Sequence, residues 1–374
     1  PELVDQVRFR KGPYFADGGD FSSAGAAHID YQHKLDGTLG QATRGQHGYA
    51  RSLVAGSPEV GSGHLLYGFE WFHNDGPWVV QERYRKLNGV LSYSAGSRND
   101  GFALTAMAYR GQWTSTDQLA RRAIDNGLVG RFGSLDPTTG GVTHRYALSG
   151  EWAARGQDSQ SKANAWWLKS GLDLWSNFQY CLNDYANSGT CASGDQFKQG
   201  ERRQAGGFAA SHTRFSIWGS LEVEHSFGVQ GRRDRLQPVG LDQTSQRNTW
   251  STVRTDEVTQ KSLSLWAQSE IRWLPWLRSS AALRGDAYRF DVDANLAANS
   301  GKADARMVTP KVGLVFGPWH QTEVYANAGH GFHSNDARGT TIQVDPADGK
   351  TPVGRVKPLV RTRGYEAGLR SEPV

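Results

Sequence analysis

No stretch of this sequence could cross a membrane as a helix. A spanning helix needs about 18 or more consecutive apolar residues, whereas only 37% of this chain is hydrophobic and its mean hydropathy is −0.59. That absence says nothing against a barrel, in which only every second residue meets lipid. Cysteine is equally scarce, with Cys181 and Cys191 the two in 374 residues. They lie close together in an Asn-, Ser- and Gly-rich stretch with no further ligand at a fitting spacing. A loop disulfide formed in an oxidising compartment is therefore expected, not a metal site.

Charge of a single sign is lacking too. Forty-two Lys and Arg face 37 Asp and Glu, for a net charge of +5. The two signs are interleaved, and no basic run carries spaced aromatics, so no nucleic-acid partner is expected. The balance suits a solvated surface of mixed sign, or a polar interior that attracts an anion. No repeat of 20–50 residues is visible, which disfavours propellers and solenoids. No Ser/His/Asp arrangement or carboxylate pair stands above background, so neither an enzyme nor a cofactor is expected. There is also no initiator Met and no signal peptide, and a fragment of a longer polypeptide is the expectation.

What the chain has in quantity is glycine (45) and aromatic residues (Trp 13, Tyr 13, Phe 15), the residues of strands, turns and interfacial anchors. It also has alternation. In Leu221–Gln230, Leu221, Val223, Phe227 and Val229 share one face, interrupted by His225, and Glu222, Glu224, Ser226 and Gln230 share the other. Side chains of a strand alternate with period two, so such a segment has one oily and one wet surface. The pattern recurs in fourteen segments: 38–45, 48–55, 64–73, 84–95, 101–113, 142–155, 163–179, 202–217, 220–235, 260–273, 277–292, 305–316, 322–333 and 360–371.

From the second segment on, the connections alternate. Short ones (Ser97–Asp100, Gly156–Ser161, Trp218–Gly219, Leu274–Trp276, Gly317–Gln321) take turns with long ones (Asn74–Arg83, Thr114–Gly141, Tyr180–Glu201, Leu236–Thr259, Asn295–Asp304, Ser334–Leu359). Short turns on one side and long loops on the other define an all-β, antiparallel transmembrane barrel of the outer-membrane type. Three short turns carry Trp218, Trp276 and Trp319, placed where amphipathic rings meet headgroups. Simple hairpin packing is the plainer reading of those rings.

Charges fix which face is which. In 277–292, Arg278, Arg284 and Asp286 oppose Leu277, Ala281, Leu283 and Ala287. In 260–273, Ser262, Ser264, Gln268, Glu270 and Arg272 oppose Leu263, Leu265, Ala267, Ile271 and Trp273. Arg facing lipid at the bilayer midplane costs roughly 2–4 kcal/mol, so the charged face must line the lumen, which is expected to be wet or filled by a polar plug.

Ahead of the first wall strand lie a short alternating segment (4–10), a Gly-rich irregular stretch (11–26) and another strand (27–35). Gly12-Pro13 and Asp17-Gly18-Gly19-Asp20 have neither P-loop nor EF-hand spacing. His330 and His333 form an H-x-x-H, but an odd separation on a strand puts the rings on opposite faces, so no metal site is expected. Asp75, Trp78 and Arg83 lie in one long loop and Asn335, Asp336 and Arg338 at the mouth of another. They are either ordinary solvated residues or contacts for a large amphipathic solute.

The stretch ELVDQVRFRKGPYFADGGDFSSAGAAHIDY (2–31) resembles the end of the plug domain of TonB-dependent outer-membrane receptors. TPKVGLVFGPWHQTEVYANAGHGFHSNDARG (309–339) resembles a barrel hairpin of the same family, and RTRGYEAGLR (361–370) its next strand. Gly331-Phe332-His333 stands where the family has a Gly-Phe-Arg-type step, and His333-Ser334-Asn335-Asp336 departs from the usual Arg-x-Pro continuation. The resemblance implies residues 1–36 as the C-terminal end of a plug and 37–374 as about fourteen strands of a parent barrel with about 22. It implies residence in the outer membrane of a Gram-negative bacterium with long loops outside. It further implies uptake of a scarce nutrient, such as a ferric siderophore or another metal chelate, energised by TonB through a segment not in this chain. Tyr14 on the plug and His333 at the mouth join the candidate ligand contacts on this ground. A passive porin or structural barrel is the alternative.

Overall fold

The computed structural model describes residues 1–115 and 117–372. Thr116, inside the long connection Thr114–Gly141, and residues 373–374 lie outside the described residues. Two strands, β1 (Val4–Lys11) and β2 (Gly25–Tyr31), pair with each other in a small sheet of their own. The wall begins with β3 (Leu39–Arg44), β4 (Ala50–Gly56), the two-residue β5 (Glu59–Val60), β6 (Gly63–Asn74), β7 (Tyr84–Gly96) and β8 (Gly101–Thr114). After a short helix α1 (Arg121–Asp125) come β9 (Gly140–Arg155) and β10 (Ser159–Ser176), then α2 (Leu182–Ser188). β11 (Phe197–Trp218), β12 (Leu221–Ser245), β13 (Asn248–Leu274), β14 (Leu277–Ala294), β15 (Gly301–Trp319) and β16 (Thr322–Ser334) follow, then α3 (Ala337–Thr341) and β17 (Leu359–Ser371).

Fourteen strands from β3 to β17 lie in sequence order, each antiparallel to the next, with β5 a side pairing on β6. They correspond one to one with the fourteen alternating segments read from the sequence. The sheet is open: β3 and β17 are its edges and are not paired with each other. The face assignment also holds. Ser264, Arg284 and Asp286 are buried on the inner surface, while Leu263, Leu265 and Leu283 are more than half exposed on the outer one. In water such an apolar outer face would aggregate; in lipid it is the required surface. From Leu263 to Trp273 is eleven residues, the length a tilted strand needs to cross a bilayer, about 9–11.

One expected loop is not a loop. Residues 236–259 continue β12 and β13, which reach 25 and 27 residues and turn tightly at Gln246-Arg247. Here the pattern changes phase. Beyond Ala287, β14 points Tyr288, Phe290, Val292 and Ala294 inward, all buried, and Arg289, Asp291 and Asp293 outward. Oily-outside becomes oily-inside because the strand has left the bilayer and must now bury its apolar face away from water. The expected wet or polar filling is therefore incomplete: at the long-loop end the lumen holds an apolar core of Val239, Val258, Tyr288, Phe290, Val292, Phe332, Ala337 and Leu359. The connection after β16 folds α3 into this core.

The pairing of β15 with β16 stops at Lys311↔Gly329. Beyond it, the inner segment takes a place beside β16: Asp20 bridges Phe332 in parallel, and the Phe21 amide donates to the Phe332 carbonyl at 3.1 Å.

Candidate functional site

The site is the seam along which residues 10–24 lie against the inner wall. Glycines shape the seat. A Cβ on Gly329 would come within 2.6 Å of the Pro13 carbonyl oxygen, and one on Gly364 within 2.8 Å of the Pro13 ring. Side chains at those two wall positions would push the segment off. Tyr14 packs on the same seat, close to Gly329 and Gly364.

Buried cations then hold the backbone. Lys311 Nζ donates to the Pro13 carbonyl at 2.9 Å and to the His330 carbonyl at 2.8 Å. Arg284 forms a two-point pair with Asp286, whose Oδ1 also accepts from Ser264 Oγ at 2.6 Å. The remaining Nη1 of Arg284 donates to Gln230 Oε1 at 2.9 Å and reaches the Asp17 carbonyl at 3.3 Å. Gln230 Nε2 donates to the same Asp17 carbonyl at 3.1 Å. A buried ion pair is tolerable only when its spare donors and acceptors are satisfied, and here the segment's own carbonyls help to do so. A Cβ on Gly19 would lie 2.5 Å from Arg284 Nη2, so a side chain there would force the guanidinium to shift from its place.

At the upper end, Asp20 accepts from the Ser334 amide at 2.6 Å and from Ser334 Oγ at 2.5 Å, and Thr362 Oγ1 donates to Ser23 Oγ at 2.6 Å. At the lower end, Arg51 donates to Glu2 at 2.9 and 3.2 Å and to Glu70 at 2.7 Å. That guanidinium holds the Glu2 carboxyl at about 2, down from its ordinary 4.5.

The mouth candidates fall into two groups. His333 lies beside Phe21, ring centres 5.9 Å apart. Asn335 Nδ2 donates to the Lys357 carbonyl at 2.7 Å, and Asp336 caps α3 by accepting from the Arg338 amide at 2.9 Å. Burial alone would raise the Asp336 carboxyl, but Arg338 outweighs it and holds the carboxyl below its usual range. Across the mouth, Trp78 Nε1 donates to Glu82 at 2.6 Å, and its ring lies 6.0 Å from Phe132. Asp75 Oδ1 lies 3.3 Å from His73 Nε2, and Arg83 occupies the left-handed region at φ 46°. Among the described residues, no hydrogen bond or ring contact joins the two groups, and Tyr14 belongs to neither.

Residues 136–139, 177–196 and the β12–β13 tip interlock. Asp136 accepts from Thr138, Asn177 and Gln196, and Gln196 in turn accepts from Thr244 Oγ1 at 2.9 Å and the Arg247 amide at 2.8 Å. Cys181 and Cys191 are disulfide-bonded across α2, with Cα atoms 5.7 Å apart. Trp218, Trp276 and Trp319 are all exposed at the short-turn end, Trp276 and Trp319 stacked with ring centres 6.3 Å apart.

Sequence reading missed Arg284 and Lys311 as anchors, as well as Asp20 and Phe21. Arg284 was legible as a lumen charge; the partner carbonyls on the inner segment were not, since any residue supplies a carbonyl.

A transmembrane antiparallel wall with an inner segment strapped to its lumen face is the architecture of a plugged outer-membrane barrel. The family described as TonB dependent receptor-like, beta-barrel, matches residues 31–373, and the chain belongs to it. The ferric citrate transporter FecA, in its unliganded form, superposes with a TM-score of 0.74 at 10% identity, over 95% of this chain and 52% of that one. BauA, the ferric preacinetobactin receptor from Acinetobacter baumannii, gives 0.73 at 12% identity over 100% and 58%. The siderophore receptor PiuA from the same organism gives 0.70 at 13% identity over 98% and 59%. The chain thus spans a little over half the length of these structures, and at such identities the likeness is one of fold. Comparison with curated protein sequences returned no match.

Proposed function

We propose that this chain is the end of the plug (1–36) and much of the barrel (37–374) of a receptor that imports a scarce nutrient across the outer membrane of a Gram-negative bacterium. The cargo class is a ferric siderophore or similar metal chelate, in keeping with what the similar structures are named for. The energy comes from TonB, engaged through a segment outside this chain. The long loops face outward, and Trp218, Trp276 and Trp319 sit at the opposite, periplasmic headgroups.

The observation that carries this reading is the strapping of residues 13–21 to the wall by Lys311, Arg284, Gln230 and Ser334. A passive pore has no use for a segment held across its lumen by buried cations. A gated importer does, because such bonds are strong in a dry site yet finite in number. His333, Asn335, Asp336 and Arg338 on one side of the mouth, and Asp75, Trp78 and Arg83 on the other, are the first contacts for the incoming chelate. Tyr14, wedged on its glycine seat, reports plug movement and contacts cargo only after it.

The test is uptake of radiolabelled ferric chelates by iron-starved cells with and without the gene, each in TonB-proficient and TonB-deficient backgrounds. Import that needs both gene and TonB is expected. Gene-dependent entry that persists without TonB would establish the porin alternative.

A further inference from the structure

The parting of β15 from β16 has a cause in the sequence. One rung past Lys311↔Gly329, the register of the two strands sets Pro310 opposite His330. The His330 carbonyl lies on the edge facing β15, where it accepts from Lys311 Nζ at 2.8 Å. Opposed residues whose groups face each other exchange two hydrogen bonds, and proline has no N–H to give. The Lys311 ammonium supplies the missing donor.

The rungs beyond could form, yet their groups are engaged elsewhere. The same register sets Val308 opposite Phe332 and Arg306 opposite Ser334. Instead, the Phe332 carbonyl accepts from the Phe21 amide at 3.1 Å, the Ser334 amide donates to Asp20 Oδ1 at 2.6 Å, and the Val308 carbonyl accepts from Arg361 Nη2 at 3.1 Å. Three bonds thus replace the three that a continued ladder would make with the same groups, as the need to pair backbone groups demands. The side chains have parted too. Phe332 is buried edge-on against Tyr288 in the lumen core, whereas Val308 is 51% exposed on the lipid face. Directly opposed residues share a face, so a continued ladder would carry Phe332 out beside Val308, where lipid shelters its ring from water.

We infer that the inner segment and β15 compete for one edge of β16. Withdrawal of residues 20–21 lets Val308 and Arg306 take over Phe332 and Ser334, and moves Phe332 from the lumen core to the lipid face. The seam has two discrete packings, with matched hydrogen bonds and a sheltered ring in each. His333, Asn335 and Asp336 follow directly on Phe332, so the mouth changes shape when the segment leaves. The inference rests on the reading of this segment as part of a movable plug, but its test involves no import, so the two can fail separately.

Met307→Cys is combined with His333→Cys in the full-length receptor, in isolated outer membranes. Met307 packs toward the core that holds Phe332, whereas His333, next along the strand, points to the other side of β16 beside Phe21. In a continued ladder the two would be directly opposed, at a spacing that a disulfide spans. After oxidation with copper phenanthroline, the link is read as a joined tryptic peptide. It is expected to be scarce with the strap intact and roughly tenfold more abundant with Asp20→Ala, which removes a charged hydrogen bond. Val312→Cys with Ala328→Cys, already directly opposed, is expected to link equally in every background. Gly331→Val, whose side chain would meet Pro13 and Ser23, is a second way to free the segment. No rise in either variant, or a link with the strap intact as abundant as that at 312 and 328, overturns the exchange.

Discussion

Lys311 and Pro13 are 298 positions apart in sequence, yet the Lys311 ammonium donates to the Pro13 carbonyl at 2.9 Å, with the His330 carbonyl as its second acceptor. It stands where β15 and β16 part. One buried cation thus joins the inner segment to both edges of the split. Lys311→Met removes the charge and keeps the length. A charged hydrogen bond contributes about 1.5–3 kcal/mol, and a loss of that order is expected in denaturant unfolding. Proteolysis within residues 10–24 is expected to quicken, while cleavage at the β12–β13 tip is unchanged.

Arg284 and Asp286 behave as a unit. Arg284→Ala leaves a buried carboxylate without its partner, which costs about 3–5 kcal/mol. Arg284→Met with Asp286→Leu removes both charges and is expected to recover much of the loss. Double-mutant analysis of unfolding measures the difference; equal losses in the single and double variants would refute the pairing.

The lipid face is tested at Leu265, which is 63% exposed on the apolar outer surface. Leu265→Arg is expected to cost roughly 2–4 kcal/mol in a bilayer. Gln268→Arg on the inner face of the same strand is expected to cost far less. Refolding into vesicles compares the two.

The Glu2–Arg51 contact supplies a pH signature. Because Arg51 holds the folded-state carboxyl at about 2 against an ordinary 4.5, its contribution is complete above 4.5 and is lost as pH falls toward 2. Hydrogen exchange in residues 1–11 is expected to speed up over that window, relative to the wall. Glu2→Gln is expected to remove the dependence there.

The disulfide closes a short ring around α2. Replacing Cys181 and Cys191 by Ser is expected to remove about 2–3 kcal/mol from loop stability. Protease sensitivity should rise within 177–196, with the melting of the wall unaltered.

Much of the wall was legible in advance. Fourteen segments, their antiparallel order and the inward turn of Arg284 and Asp286 follow from period-two alternation and the cost of charge in lipid. The reach of β12 and β13 was not, because Leu236–Thr259 contains Pro238 and many polar residues and lacks an oily outer face. Above the bilayer the apolar residues belong on the other side, so the phase reverses and the alternation reads as loop. At the candidate site, Asn335, Asp336 and Arg338 were visible as mouth residues. Their commitment to caps and neighbouring carbonyls was not, since those partners lie across a loop that sequence leaves unfolded.

Alternation and hydropathy, which are local, settled which residues meet lipid and which meet the lumen, and so the class of fold. Which carbonyls Lys311 and Arg284 would grip, and that the Phe21 amide would meet the Phe332 carbonyl, depended on register and docking between distant segments. Those are properties of strand register and packing, and no window along the chain contains them.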